Sequence, residues 1–256
     1  MAGQIYEQRD QPPGVPPLAL TGERTLPDVP EENYWYRRHL VVYEWIAERV
    51  TGLRVIDMAC GEGYGSEVLS RSAAAVIGVD ANRDAFEHAR LRYVRSNLGF
   101  ERGMVEIHGE PGAYDAVVFL QTIEHVQDPA AVLEHFRSLL APGGTAYVST
   151  PNVLTLAPAG AVKSSNPWHI REYRAAEFES LCRSAFGQVE LLGLFHARLL
   201  GAHSVALKLG WDRVHATLRV TKPFYDRFTP AISARDFALR PRRLDAALDF
   251  LAVCRS

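Results

Sequence analysis

Cysteine is scarce: Cys60, Cys182 and Cys254 stand far apart in 256 residues, odd in number and without metal-ligand spacing. That excludes a disulfide framework and a thiolate metal site as organising devices, and it points to a reducing compartment. The start, MAGQIYEQRD, lacks the apolar core of a secretion signal. No run approaches the roughly 20 apolar residues that cross a bilayer. A cytoplasmic location is expected. An excess of charge of one sign is missing too, since 28 Lys and Arg face 30 Asp and Glu for a net −2. The whole chain therefore has no electrostatic drive toward nucleic acid or an anionic membrane, although local patches can form. A small neutral or weakly charged substrate is permitted. No internal repeat at a solenoid period is found. What is plentiful is apolar residue, 47% of the chain, enough for one substantial core, and one domain with insertions is expected.

Residues 1–30 are rich in proline (Pro12, Pro13, Pro16, Pro17, Pro27, Pro30). They lack periodicity and read as an irregular arm with a mobile first part. From 31 to 50, Tyr34, Leu40, Val41, Tyr43, Trp45, Ile46 and Val50 fit one face of a helix that closes near Gly52. Short branched-apolar runs then alternate with helical segments: LRVIDM, a glycine turn, AAVIGVD, a helix over 83–96, MVEIH, YDAVVFL, a helix over 129–140, and TAYVST. Such alternation predicts a parallel sheet covered on both faces. A helix over 175–185 precedes VELLGLF, and residues 196–243 interrupt the pattern before the last run, DFLAVC. The expected domains are thus the arm 1–30 and one catalytic domain 31–256. Within the latter, 196–243 is a lid, an acceptor platform or a dimer surface.

VIDMACGEGYG, residues 55–65, carries the strongest signal: an apolar strand followed by Gly61, Gly63 and Gly65 at alternate positions. Bare backbone of this kind lets a ligand approach closely at the carboxyl ends of the strands of a doubly wound sheet. The next strand ends in Asp80, whose carboxylate can accept hydrogen bonds from two vicinal ribose hydroxyls. A nucleoside is implied. A tight turn and a helix cap are the plain structural alternatives for the glycines and for Asp80, and a nicotinamide or flavin cofactor would satisfy both features as well.

In family order, Asp57, ACGEGYG, Asp80, YDAVVFLQTIEHV and LLAPGGTAYVSTPN resemble the successive motifs of class I methyltransferases. That resemblance implies S-adenosylmethionine as cofactor, S-adenosylhomocysteine as product, and an α/β, Rossmann-like, doubly wound sheet. The sheet would have seven strands, the last antiparallel, with a helical insertion before it. It also implies that Gly61 and Gly63 line the methionine moiety, with Ala59, Ala81 and Gln121 beside the cofactor. Asp57 would orient the loop, Asp80 would hold the ribose and Glu110 would meet the adenine amine.

Methyl transfer needs an acceptor atom held in line, and an alcohol also needs help losing its proton. Gln121, Glu124 and His125 end the fourth strand with a spacing similar to the Glu-x-x-Glu-His magnesium site of ubiquinone-type and small-RNA O-methyltransferases. Glutamine replaces the first acid, so an amide oxygen but no charge would face Mg²⁺. The alternative is that Glu124 and His125 serve structure or contact the cofactor. His169, in SSNPWHIREY, is a second candidate base on a loop able to close over the pocket. Trp168 beside it offers an apolar face of the kind that stacks on sugars. His196 is a third. Either His169 or His125 takes the proton in this reading, with Glu124 orienting the base or a metal. In the arm and the first helix, Arg24, Tyr34, Trp35, Arg37, Arg38 and His39 would fold over the cofactor, Arg38 meeting its carboxylate, or else form a solvated helix edge.

LTGERTLPDVPEENYWYRRHLVVYEWI, CGEGYG, IEHV, VSTPN, NPWHIREY and GLFHARLL together are similar to the methyltransferases encoded with the mycobacterial methylglucose lipopolysaccharide pathway. The resemblance implies O-methylation of a sugar hydroxyl in a polysaccharide or its oligosaccharide precursor, and it fades beyond residue 200. A small-metabolite O-methyltransferase and a catalytically silent cofactor-binding partner remain alternatives. The chain's charge balance argues against nucleic acid, although the basic excess in 196–243 suits an anionic acceptor.

Overall fold

A computed structural model describes residues 4–6, 11–20, 24–158, 161, 163–218 and 220–256. Parts of the arm and of the loop before His169 lie outside the described residues.

The arm is less irregular than its composition suggests. Strands β1 (Gln4–Tyr6) and β2 (Leu18–Leu20) pair antiparallel. Leu18, Leu26 and Val29 bury together. The next elements are α1 (Asn33–Ala47), β3 (Arg54–Met58), α2 (Tyr64–Ser70), β4 (Ala75–Asp80), α3 (Arg83–Arg92) and β5 (Leu98–Arg102). Then come β6 (Tyr114–Phe119), α4 (Pro129–Leu139), β7 (Leu140–Pro151), the short α5 (Val153–Leu156), α6 (Ala175–Ala185) and β8 (Gln188–His196). The chain closes with α7 (Arg198–Lys208), α8 (Trp211–Leu218), α9 (Thr221–Ala231), β9 (Phe237–Arg240) and β10 (Asp249–Arg255).

These strands form one sheet in the order β5-β4-β3-β6-β7-β10-β8-β9. Pairings from β5 through β7 are parallel. The final strand, β10, inserts antiparallel between β7 and β8, as the resemblance implies. The sheet has eight strands rather than seven, because Phe237–Arg240 leaves the insertion and pairs antiparallel with the edge of β8. Both faces are covered. Ile56, Val117 and Phe119 pack under α4 and α6, while Val55, Ala116 and Val118 pack under α1 and α2. This period-two division is what a parallel sheet between two helical layers requires.

Two local choices set the frame of the site. The edge strand is Leu98–Arg102, not the expected MVEIH; Met104 and Ile107 are exposed. Phe100 explains the choice: its ring fills the space that a Cβ on Gly78 or Gly63 would take, at 2.7 and 3.0 Å. Helix α3 starts at Asn82, whose Oδ1 accepts the N–H groups of Asp84 and Ala85 at 3.0 Å each, a cap worth about 1 kcal/mol. That cap ends β4 at Asp80 and fixes the turn after it. The chain reverses its strand order at β3, stepping outward to β4 and β5 before returning to β6. A crevice outside the carboxyl ends of β3, β4 and β6 follows from that topology.

Candidate active site

Backbone shape builds the first wall of the crevice. Ala59, Gly61 and Gly63 all take positive φ, at 56°, 58° and 97°, which curls the chain after β3. Ala59 is not a glycine, so its left-handed conformation stores strain, as Gln121 does across the crevice at φ 51°. The three glycines do different work. A Cβ on Gly61 would meet no atom within 4 Å, whereas one on Gly63 would come 2.8 Å from the Ala89 Cβ, and one on Gly65 would come 2.1 Å from the Tyr43 ring. Gly61 therefore borders the crevice, while Gly63 and Gly65 let the loop and α2 sit tightly on α3 and α1.

Asp57 holds this arrangement from beneath. It is fully buried; the Ser66 hydroxyl donates to it at 2.6 Å and the Tyr43 hydroxyl at 3.3 Å. Burial pushes its carboxyl up to about 7. It clamps α1 and α2 to the end of β3.

Asp80 joins the second wall to the first. The Gly61 N–H donates to one carboxylate oxygen at 2.8 Å and the Asn82 N–H to the other at 2.8 Å. Each oxygen keeps further acceptor capacity. A cavity of about 350 Å³ opens there, within the range of about 300–1,000 Å³ usual for small-molecule sites. Ala59, Gly61, Asp80, Ala81 and Gln121 line it. So do Arg24 and His39 from the arm and first helix; burial pushes the His39 imidazole down to about 4, so it is neutral near pH 7. The residues present fit a nucleoside carrying an amino-acid tail: a two-oxygen acceptor beside bare backbone, with a cation opposite.

The lining residues that escaped the sequence reading include Thr25, Tyr64, Asn82 and Thr122. Asn82 was findable, since an Asn two residues past Asp80 and just before a helix is a cap signature. Thr25 and Tyr64, whose hydroxyls lie 3.3 Å apart, meet only through the tertiary fold.

The other end of the cavity carries the histidines. After β6, a turn of 3-10 helix over Ile123–His125 sets Glu124 inward and His125 on the cavity wall. The Nδ1 of His125 lies 3.0 Å from the carbonyl of Trp168. A carbonyl can only accept, so Nδ1 carries a proton, and in the neutral imidazole Nε2 is the acceptor nitrogen. The Glu124 carbonyl accepts the N–H groups of Ile170 and Arg171 at 2.9 and 3.2 Å, tying the Trp168 loop to the strand end. The Glu124 carboxylate accepts from Thr150 at 3.1 Å, and burial pushes it up to about 8.

His169 is buried behind His125, its ring edge-on at 5.0 Å. It donates from Nδ1 to Glu172 at 2.6 Å, and its Nε2 accepts from Asn166 at 3.0 Å. His169 does not line the cavity. His196 is engaged at both nitrogens, by Tyr34 at 2.8 Å and Ser204 at 2.9 Å, and burial pushes it down to about 4.

Three sequence assignments are corrected. Arg38 is buried in a two-pronged pair with Asp249, at 2.5 and 2.7 Å, and does not reach the cavity; Arg24 is the cation there. Glu110 is exposed and lies outside the cavity lining, because the short GEPGAYD turn bonds back to α4 through Gly112 and Ser138. Gly63 packs against α3 rather than lining the crevice.

Glu124, His125 and His169 each offer a metal-ligand atom, all within 4.8 Å of one another. Gln121, the remaining expected ligand, spends its amide nitrogen on the Ser149 hydroxyl at 3.1 Å. Two imidazoles beside a single buried carboxyl suit Mg²⁺ poorly, since Mg²⁺ selects oxygen donors.

Fold and crevice together define a Rossmann-like enzyme that binds a nucleoside cofactor at the switch point of its sheet. A methyltransferase domain family matches residues 34–198. The chain is 40% identical over 264 aligned positions to a probable S-adenosylmethionine-dependent methyltransferase of Mycobacterium tuberculosis, covering 97% of this chain and 95% of that protein. It belongs to the S-adenosylmethionine-dependent methyltransferases. A ubiquinone biosynthesis O-methyltransferase of Xanthomonas campestris is 35% identical over 128 residues, covering 46% of this chain and 54% of that one. Among solved structures, a Thermotoga maritima S-adenosylmethionine-dependent methyltransferase, titled a possible histamine N-methyltransferase, superposes with a TM-score of 0.59. It has 16% identity and covers 88% of this chain and 95% of that one. That likeness concerns the fold alone. Among the described residues, no helix is long and apolar enough to cross a membrane.

Proposed function

We propose that this methyltransferase acts on a carbohydrate hydroxyl, with His125 taking the proton. When bound, S-adenosylmethionine supplies an electrophilic methyl group on sulfur. Asp80 would hold the two ribose hydroxyls, Gly61 would give close backbone approach, and Arg24 would meet the carboxylate. His125 would accept the acceptor proton at Nε2, and the Trp168 carbonyl at Nδ1 would stabilise the imidazolium that results. Glu124 positions the base by pinning the loop that carries that carbonyl.

The observation that carries the reading is the pairing of His125 with the backbone carbonyl of Trp168, a residue 56% exposed. An exposed aromatic residue on the loop that holds this imidazole suits a sugar, which offers an apolar ring face and weakly acidic hydroxyls. The similarity to a ubiquinone biosynthesis O-methyltransferase supports transfer to oxygen. This reading prefers His125 to His169, which acts by packing against His125.

The test is transfer of labelled methyl from S-adenosylmethionine to a panel of oligosaccharides, phenols and RNA. Label in oligosaccharide is expected; label in phenols alone would reject the sugar acceptor, and cofactor binding with no label anywhere would favour a silent partner. Activity that survives EDTA is expected, because proton removal is assigned to the imidazole. Loss restored only by Mg²⁺ would return the metal reading.

A further inference from the structure

Helices α7, α8 and α9 form a cap with two properties that soluble surfaces seldom combine. Residues 198–231 contain six Lys and Arg against two Asp and no Glu, in a chain with a net charge of −2. Along the same helices Leu207, Leu209, Trp211, Val214, Leu218 and Val220 are exposed, Leu209 by 83% and Leu218 by 63%. Exposed Lys208, Arg213, Lys222 and Arg227 interleave with them. An open groove of about 480 Å³ between α8 and α9 has Trp211, Phe224 and Arg227 among its walls. Exposed apolar residues gathered around a groove mark an interaction site.

The cap also stands in a particular place. Strands β7 and β8 both run antiparallel to β10, so β8 points the same way as β7, and α7 leaves it at the edge of the sheet that holds the crevice. A second copy is a poor occupant. A two-fold contact would set this cationic patch against itself, and interface cores are depleted in charge. Anionic headgroups neutralise the same cations while the apolar side chains enter the acyl boundary.

We propose that the α7–α9 cap docks on an anionic phospholipid surface, with Trp211, Leu209 and Leu218 inserting and the interleaved cations meeting phosphate groups. Docking does not depend on the identity of the acceptor. It would present the crevice to acceptors held at the lipid–water boundary.

The full chain should sediment with phosphatidylcholine vesicles containing phosphatidylglycerol and not with phosphatidylcholine alone, and added salt should weaken the partition. Leu209→Ser combined with Leu218→Ser should reduce it by about tenfold or more, as loss of buried apolar area predicts. Lys208→Glu combined with Lys222→Glu should reduce it by a similar factor. Unchanged affinity for S-adenosylhomocysteine in both variants would verify that the fold is intact. Any of these results would overturn the proposal: no sedimentation, equal sedimentation with neutral vesicles, partition unaffected by either pair, or a dimer in sedimentation velocity that the leucine pair makes monomeric.

Discussion

The crevice and the cap share one edge of the sheet but are built on opposite principles. In the crevice, charge is sunk into the protein and answered by backbone or hydroxyl: Asp57 by Ser66 and Tyr43, Asp80 by the N–H groups of Gly61 and Asn82. On the cap, cations and large apolar side chains both remain at the surface. The first arrangement preorganises a site whose ligand never varies. The second leaves binding energy unspent until something external arrives. His125 lies on the cavity wall, held by the Trp168 loop.

Four substitutions sharpen that contrast, from the largest effect to the smallest. His125→Ala should lower turnover by about 10²–10⁴-fold, the usual contribution of a general base, while cofactor affinity measured by calorimetry stays near that of the wild type; undiminished turnover would move the base elsewhere. Gly65→Ala sets a methyl against the Tyr43 ring and should cost about 1–3 kcal/mol of stability by overpacking, read as a lower urea midpoint; an unchanged midpoint would contradict the packing role. Asp57→Asn tests buried charge through pH. The folded carboxyl titrates at about 7 against about 3.9 in an unfolded chain. The folded state thus binds more protons between those values, and the wild type loses stability as pH rises through that window. The variant lacks this loss, so its stability relative to the wild type should rise between pH 5 and pH 8. A constant difference would mean that Asp57 is ionised when folded. Last, Leu209→Ser should shift stability by no more than about 0.5 kcal/mol in vesicle-free buffer; a large loss in thermal denaturation would show that Leu209 is core rather than a waiting contact.

The same contrast governs what the sequence could disclose. The crevice is local: VIDMACGEGYG and the acid ending the next strand are short-range signals, and Gly61 and Asp80 meet as their spacing implies. Arg38 shows where such reasoning runs out. Its partner Asp249 is 211 positions away, so a helix-edge arginine near the cofactor motifs could not be told from one satisfied in the core. Phe100 shows a second limit. It chose the edge strand by filling space over two glycines, a packing fact that alternation in MVEIH concealed. His125 and His169 were each visible as bases, but only the fold puts one on the wall and the other behind it. The eighth strand had no strong run of its own and exists because β8 offers an open edge.

The account stands or falls on the contact between Asp80 and the Gly61 backbone serving as a cofactor cradle. Calorimetric titration with S-adenosylhomocysteine tests it directly. The wild-type chain should bind one equivalent, and Asp80→Ala should bind about 10- to 100-fold more weakly, as loss of hydrogen bonds to a charged group predicts. No heat with the wild type, or equal affinity in the variant, would contradict it.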